Sequence, residues 1–249
     1  GKADLQVKTQ LSYDPETQFS VNNINNANIK GQFEDLELLY HDTMFLYSPD
    51  LQVDLTFPVT EKPYKIDEWL HAKLKTNLIR IKNERSLTKK DILGSDAQLD
   101  VYTNNLLDST SALKFATTYQ FNQINAEIDT IYAQLFEPHG VFVMKNKDQM
   151  RIDYAGDALR LYVSNARQST SSNYDPFSLY TEAIQLHVET DYKEKENHPL
   201  LQWSPVGQLQ AKNTELGIRD IMKYTVECPV LDLDFNPQKC VLKKVNIGY

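Results

Sequence analysis

Long runs of strict alternation constrain this chain more than any other feature. In LQVDLTF, residues 51–57, Leu51, Val53, Leu55 and Phe57 share one side, and Gln52, Asp54 and Thr56 share the other. The same period places Ile184, Leu186 and Val188 together in AIQLHVE, and Leu231, Leu233 and Phe235 together in LDLDF. LRLYV adds Leu159, Leu161 and Val163, and MRIDY adds Met150, Ile152 and Tyr154. Successive side chains of a strand point to opposite faces, so each run is a strand with one apolar and one wet face. The 14 tyrosines and 10 phenylalanines suit that state. Turn signals separate the runs: YDPET, YSPD, EPHG, KNKD, SNYDP and FNPQ.

WLHAKLKTNLIRIKN carries two patterns. Leu70, Leu74 and Leu78 fit one side of a helix, whereas Leu70, Ala72, Leu74, Thr76 and Leu78 alternate as in a strand. Ile79 and Ile81 continue the alternation in the other phase toward a β-branched end, which favours strand. A short helical turn fits TKKDIL, residues 88–93.

Hairpin-like units recur. GQFEDLELLY, GSDAQLDVYT, GDALRLYVSN and GQLQAKNTEL begin at Gly31, Gly94, Gly156 and Gly207, each glycine expected to open a strand. The units run over residues 31–93, 94–155, 156–206 and 207–249, after a partial unit over 1–30. Recurrence of this kind points to one structural module laid down several times. The expected fold is therefore all-β: one elongated domain over residues 1–249, a curled antiparallel sheet of repeated hairpins with few helices.

The totals exclude several classes. A formal charge of −8, from 26 basic and 34 acidic residues, lacks the basic footprint of a nucleic-acid binder. No run of about 20 apolar residues is present to span a bilayer as a helix. Gly1, ahead of KADLQV, resembles a cleavage scar, with the expectation that a leader or anchor lies outside this sequence. Cys228 and Cys240 flank a turn signal at Asn236-Pro237, which would pair Cys228 with about residue 245 and leave two free thiols.

Chemistry is sparsely signalled. No nucleophile elbow, zinc-protease, phosphate-loop, dinucleotide or EF-hand motif occurs. His41, His71, His139, His187 and His198 are scattered singly, and His41-Asp42 and His139 fall in turn signals. Asp232 and Asp234 sit about 6–7 Å apart on one strand face, within the spacing of a glycosidase carboxylate pair, and with Glu227 they suggest calcium; alternating aspartates also simply keep a strand face wet. No catalytic residue, metal ligand or cofactor is therefore assigned. Beside the polar loop RQSTSSNYD, Tyr174, Phe177 and Tyr180 offer an alternative function as stacking residues of a secreted adhesion or carbohydrate-binding module.

The hairpin style of GQFEDLELLYHDTMFLYSPDLQVDL, echoed by GQLQAKNTELGIRDIMKYTVECPVLDLDF and by KADLQVKTQLSYDPETQFSVNNINNANIKG, resembles the periplasmic body of AsmA-like proteins of Bacteroides-type bacteria. The resemblance spans most of the chain and rests on β-repeat pattern. It implies a non-enzymatic cell-envelope protein, periplasmic and anchored in the inner membrane, with a role in outer-membrane biogenesis or phospholipid handling. Implied partners are phospholipid or other acyl chains and envelope proteins. The candidate groove lining is the alternating apolar set Leu51, Val53, Leu55, Phe57, Ile184, Leu186, Val188, Leu231, Leu233 and Phe235. The same pattern also fits a closed, dry sandwich core, and sequence alone leaves both open.

Overall fold

A computed structural model describes residues 1–11, 24–40, 44–83, 90–105, 111–146, 149–163, 177–192, 203–218 and 225–248. Fourteen strands follow one another: β1 (Lys2–Leu11), β2 (Ile24–Tyr40), β3 (Met44–Phe57), β4 (Leu70–Asn83), β5 (Lys90–Thr103), β6 (Phe115–Gln120), β7 (Gln123–Ile128), β8 (Ile131–Phe136), β9 (His139–Asn146), β10 (Gln149–Val163), β11 (Phe177–Tyr192), β12 (Trp203–Ile218), β13 (Thr225–Asn236) and β14 (Lys239–Gly248). All pair antiparallel in a single sheet, ordered β1-β2-β3-β4-β5-β6-β9-β10-β11-β12-β13-β14. β7 pairs with β5 and β8, and β8 with β10, so β6 with β7 and β8 with β9 act as two interrupted long strands. The whole is an up-and-down meander of twelve strand positions, and no described residue is helical.

WLHAKLKTNLIRIKN is strand from Leu70 onward. The turn expected over 88–93 is overturned for its described part: residues 90–93 begin β5, paired with Ile128–Asn125 of β7. Residues 88–89 lie outside the described residues. The recurring glycines do not open strands either, since Gly31, Gly94, Gly156 and Gly207 all lie inside β2, β5, β10 and β12. YSPD is likewise no turn, because Ser48-Pro49-Asp50 lies within β3.

That misplacement has a common cause. Asp35, Asp96, Glu137, Ala183 and Asn213 have φ of 51°, 49°, 47°, 46° and 48° within or between strands. Register places all five within one residue of a single line across the sheet. Asp and Asn enter the left-handed region more readily than other side chains. A left-handed residue inside a strand interrupts the pleat and shifts its alternation by one. β3 has no left-handed residue of its own, yet opposite Asp35 of β2 its phase also changes, as Leu46 and Ser48 give way to Leu51 and Val53. In β5, Ile92 and Gly94 give way to Ala97 and Leu99; in β11, Leu179 and Thr181 give way to Ile184 and Leu186.

Because alternation and pleat change together, the apolar residues stay on one physical face. The Ser48 hydroxyl, in phase with Leu46, lies 2.8 Å from that of Thr76, in phase with Leu74. Thr76 donates to Asp50 Oδ1 at 2.7 Å, which also accepts the Asn77 N–H at 3.0 Å. Ser48, Thr76, Ala97, Thr181, Ala211 and Thr214 along this line are all buried, although no other described element covers them. Small side chains become buried in this way when longer neighbours on both sides lean over them. The sheet is therefore creased along the line, with the apolar face inside. At Gly94 a Cβ would stand 2.8 Å from the Phe121 ring, so the crease closes there only without a side chain.

Candidate functional site: an apolar trough

The register shows what the crease encloses. Starting at Leu5 of β1, direct cross-strand partners run through Gly31, Val53, Leu74, Leu99 and Tyr119. They continue through Gly140, Tyr154, Leu186, Leu209 and Leu233 to Leu242 of β14. Directly opposed residues in an antiparallel pair point to the same face. One uninterrupted, almost wholly apolar row thus crosses all twelve positions, a distance of about 50 Å at the usual strand spacing. A parallel row links Val7, Ile29, Leu55, Ala72 and Val101 to Phe142, Ile152 and Val188.

All ten residues expected to line a groove lie on this face. Val53, Leu186 and Leu233 share the first row, and Leu55 and Val188 the second; Leu51, Phe57, Ile184, Leu231 and Phe235 fall in phase with them on the same strands. Nine of them are half-buried, and only Ile184, at the crease, is buried at 8% exposure. Leu5 is 60% exposed and Leu242 59%. Total accessible surface is 16977 Å², against about 11,000 Å² for a compact monomer of this mass. The excess accords with a sheet whose apolar face has no second layer.

The opposite face is polar. Lys30 pairs with Asp54 at 3.1 Å, Arg80 with Asp91 at 2.6 Å and Lys243 with Asp234 at 2.7 Å. Asp232 and Asp234 thus lie on the wet side, Asp234 held by a lysine. His187 and Asp153 meet at 2.5 Å, His71 contacts Asp100 at 2.9 Å, and His139, the first residue of β9, contacts the Glu137 carbonyl. His41 and His198 lie outside the described residues. Among the described residues no group of three or more His, Cys, Asp or Glu side chains is arranged to hold a metal ion. Cys228 and Cys240 are both free; Cys240 pairs with Phe235 across a turn at Pro237-Gln238.

Of the aromatic residues offered for glycan stacking, the two described ones do not share a platform. Phe177 and Tyr180 project to opposite faces of β11, and Tyr174 lies outside the described residues. Tyr180 is engaged on the polar face, donating to Glu182 at 2.8 Å beneath the Arg160 guanidinium. Asn213 also donates to Glu182 at 2.7 Å, and these two bonds, Asn213 first, hold the Glu182 carboxyl below its ordinary range.

The dry cluster was not legible in the sequence and lies on the polar face. Residues 58–69, between β3 and β4, fold as a strap over it: Ile66 packs on Ala116 and Val143, and the Tyr64 and Tyr102 rings are 5.5 Å apart. Glu68, only 2% exposed, accepts the Tyr64 and Ile66 N–H groups at 2.6 and 3.2 Å. Trp69, which closes the strap, tilts against Phe57 at 4.9 Å. Strict alternation breaks down at Ala116 and Val143, but that break does not say which distant residues cover them.

Within the trough, Tyr119 lies across Gly140, where a Cβ would meet its hydroxyl at 2.8 Å, and donates to the Asp153 carbonyl at 3.2 Å. Burial, with smaller contributions from Tyr154 and Asp153, pushes the phenol from 10.0 up to about 12. Folding disfavours the phenolate, so this contribution to stability is complete below pH 10.0 and disappears as pH rises through about 12. Tyr119→Phe should flatten the fall in stability across that alkaline window. It should also remove one late-titrating phenol from the ultraviolet phenolate absorbance; an unchanged titration would contradict this placement.

A scan against protein-family models, a search of curated proteins and a search of solved structures returned no match.

Proposed function

We propose that this chain is a non-enzymatic lipid-handling protein of the cell envelope, AsmA-like in type, that holds acyl chains of phospholipid against its apolar face. The observation that carries the reading is the unbroken apolar row from Leu5 to Leu242, creased inward and uncovered by any described element. A sheet with one apolar face requires a second layer, and a ligand can serve as that layer. Each methylene of an acyl chain buried there contributes about 0.8 kcal/mol. A trough about 50 Å long accepts several chains side by side, and the lining discriminates by hydrophobicity more than by headgroup. A periplasmic site of action and a part in outer-membrane biogenesis follow from the AsmA-like resemblance and belong to this proposal.

Detergent-free protein incubated with phosphatidylglycerol and phosphatidylethanolamine vesicles, re-isolated and examined by native mass spectrometry, tests it. Discrete adducts of phospholipid mass, more than one per chain, are expected, with the same lipids in an organic extract. A clean unliganded mass after incubation would overturn the reading.

A further inference from the structure

The wet face of the sheet holds a cavity of its own, on the wall beyond the crease. Direct cross-strand partners run from Arg80 of β4 to Asn125 and Gln134, through Leu93. A second row, two residues away along each strand, joins Asp91 and Glu127 to Tyr132 and Tyr162 of β10. The rows stand about 7 Å apart and the cavity reaches from β4 to β10, about 19 Å at the usual strand spacing. Between them lies a volume of about 670 Å³, within the range of small-ligand sites. Ala126 and Ala133 turn their side chains to the other face, so the floor is backbone.

We propose that this cavity binds a neutral oligosaccharide, with Tyr132 and Tyr162 as its stacking platform and Asn125 and Gln134 as its hydrogen-bonding edge. A sugar ring presents weakly positive C–H groups on its faces and hydroxyls around its rim. The negative face of a tyrosine ring takes the C–H groups. Tyr132 is 40% exposed and Tyr162 half-buried, and neither makes a hydrogen bond or ring contact among the described residues. Asn125 Oδ1 accepts from Gln123 at 2.8 Å and from Gln134 at 3.2 Å, which fixes both lining amides. The Asn125 amino group then remains as a donor and the Gln134 carbonyl as an acceptor. A hydroxyl needs both, since it donates and accepts at once. Charge selects against acidic ligands. Arg80 is committed to Asp91 by two parallel bonds of 2.9 and 2.6 Å, and with Glu127 the lining carries 1 − 2 = −1. An acyl chain finds little wall here, because Leu93 is the single aliphatic side chain of the lining larger than alanine.

Isothermal titration of lipid-free protein with maltohexaose, cellohexaose and mannohexaose should show saturable binding of at least one. Tyr132→Ala, a truncation at an exposed position, should weaken it about tenfold. Gln134→Ala should weaken it about fivefold. Tyr180→Ala removes a ring outside the cavity and should leave binding within about twofold of the parent. Absence of binding by all three oligosaccharides overturns the proposal. So does equal affinity in the parent, Tyr132→Ala and Gln134→Ala, the mark of a site elsewhere. Preference for hexagalacturonate over the neutral sugars overturns it too, because the lining would then be drawing acidic ligands. The cavity and the trough lie on opposite faces, so Tyr132→Ala should leave phospholipid transfer at the parent rate. Failure of sugar binding leaves the lipid reading standing, and failure of lipid uptake leaves this one standing.

Discussion

Leu186→Asp and Leu233→Asp are expected to abolish transfer of fluorescent phospholipid between vesicles while leaving the protein folded. The two residues lie in one row of the trough, joined through Leu209, and both are half-buried. A carboxylate there stays hydrated while the trough is empty, so the cost to folding is about 1 kcal/mol or less. An acyl chain laid over it must strip that hydration, at several kcal/mol for an unpaired ion. Since about 1.4 kcal/mol is a factor of ten, transfer should fall at least tenfold. Gln185→Asp and Gln208→Asp supply matched controls, since both residues are exposed on the polar face of the same strands. They add the same charge and should leave transfer within about twofold of the parent, a difference of some 0.4 kcal/mol. Unfolding of both lining variants would mean that Leu186 and Leu233 belong to a dry core. Equal losses in lining and control variants would mean that net charge, not the trough, governs transfer.

Much of this architecture is visible in the alternation, because a period of two is a direct record of which side chains share a face. LQVDLTF, AIQLHVE and LDLDF each reveal an apolar side, and register then joins Val53, Leu186 and Leu233 in one row. Alternation within a strand carries no information about its partner's register, so the continuity of that row required the structure. The crease is half legible. The change of phase between Thr76 and Ile79 stands in the sequence, but only the neighbouring left-handed residues show that it marks a fold line and not the end of a strand. Pro49 and the recurring glycines suggest turns for the same reason: residues that permit a reversal also permit a bend. The strap over Ala116 and Val143 was illegible, since its packing depends on contacts far apart in sequence.

Glu68→Ala should destabilise the protein by about 3 kcal/mol, the largest stability effect expected of a single polar substitution here. The carboxylate is buried and takes the N–H groups of Tyr64 and Ile66, whose backbone positions the strap depends on. Asp67 and Lys65 beside it hold φ of 64° and 55°, conformations retained only while the surrounding contacts fix them. Truncation leaves two donors without a partner and loosens Ile66 from Ala116 and Val143. Glu68→Gln keeps the volume and one acceptor oxygen but turns an amide toward a donor, so about half the loss should remain. Urea denaturation gives the magnitude, and hydrogen exchange locates it: faster exchange is expected first at Tyr64 and Ile66, with Leu186 and Leu233 unaffected. A change in stability below about 0.5 kcal/mol would show that the strap does not depend on this carboxylate. Since the contacts that Glu68 holds in place, Ile66 on Ala116 and Val143, lie on the polar face, phospholipid transfer measured below the denaturation threshold should match the parent. That outcome separates the residues that keep the sheet folded from those that give its other face a use.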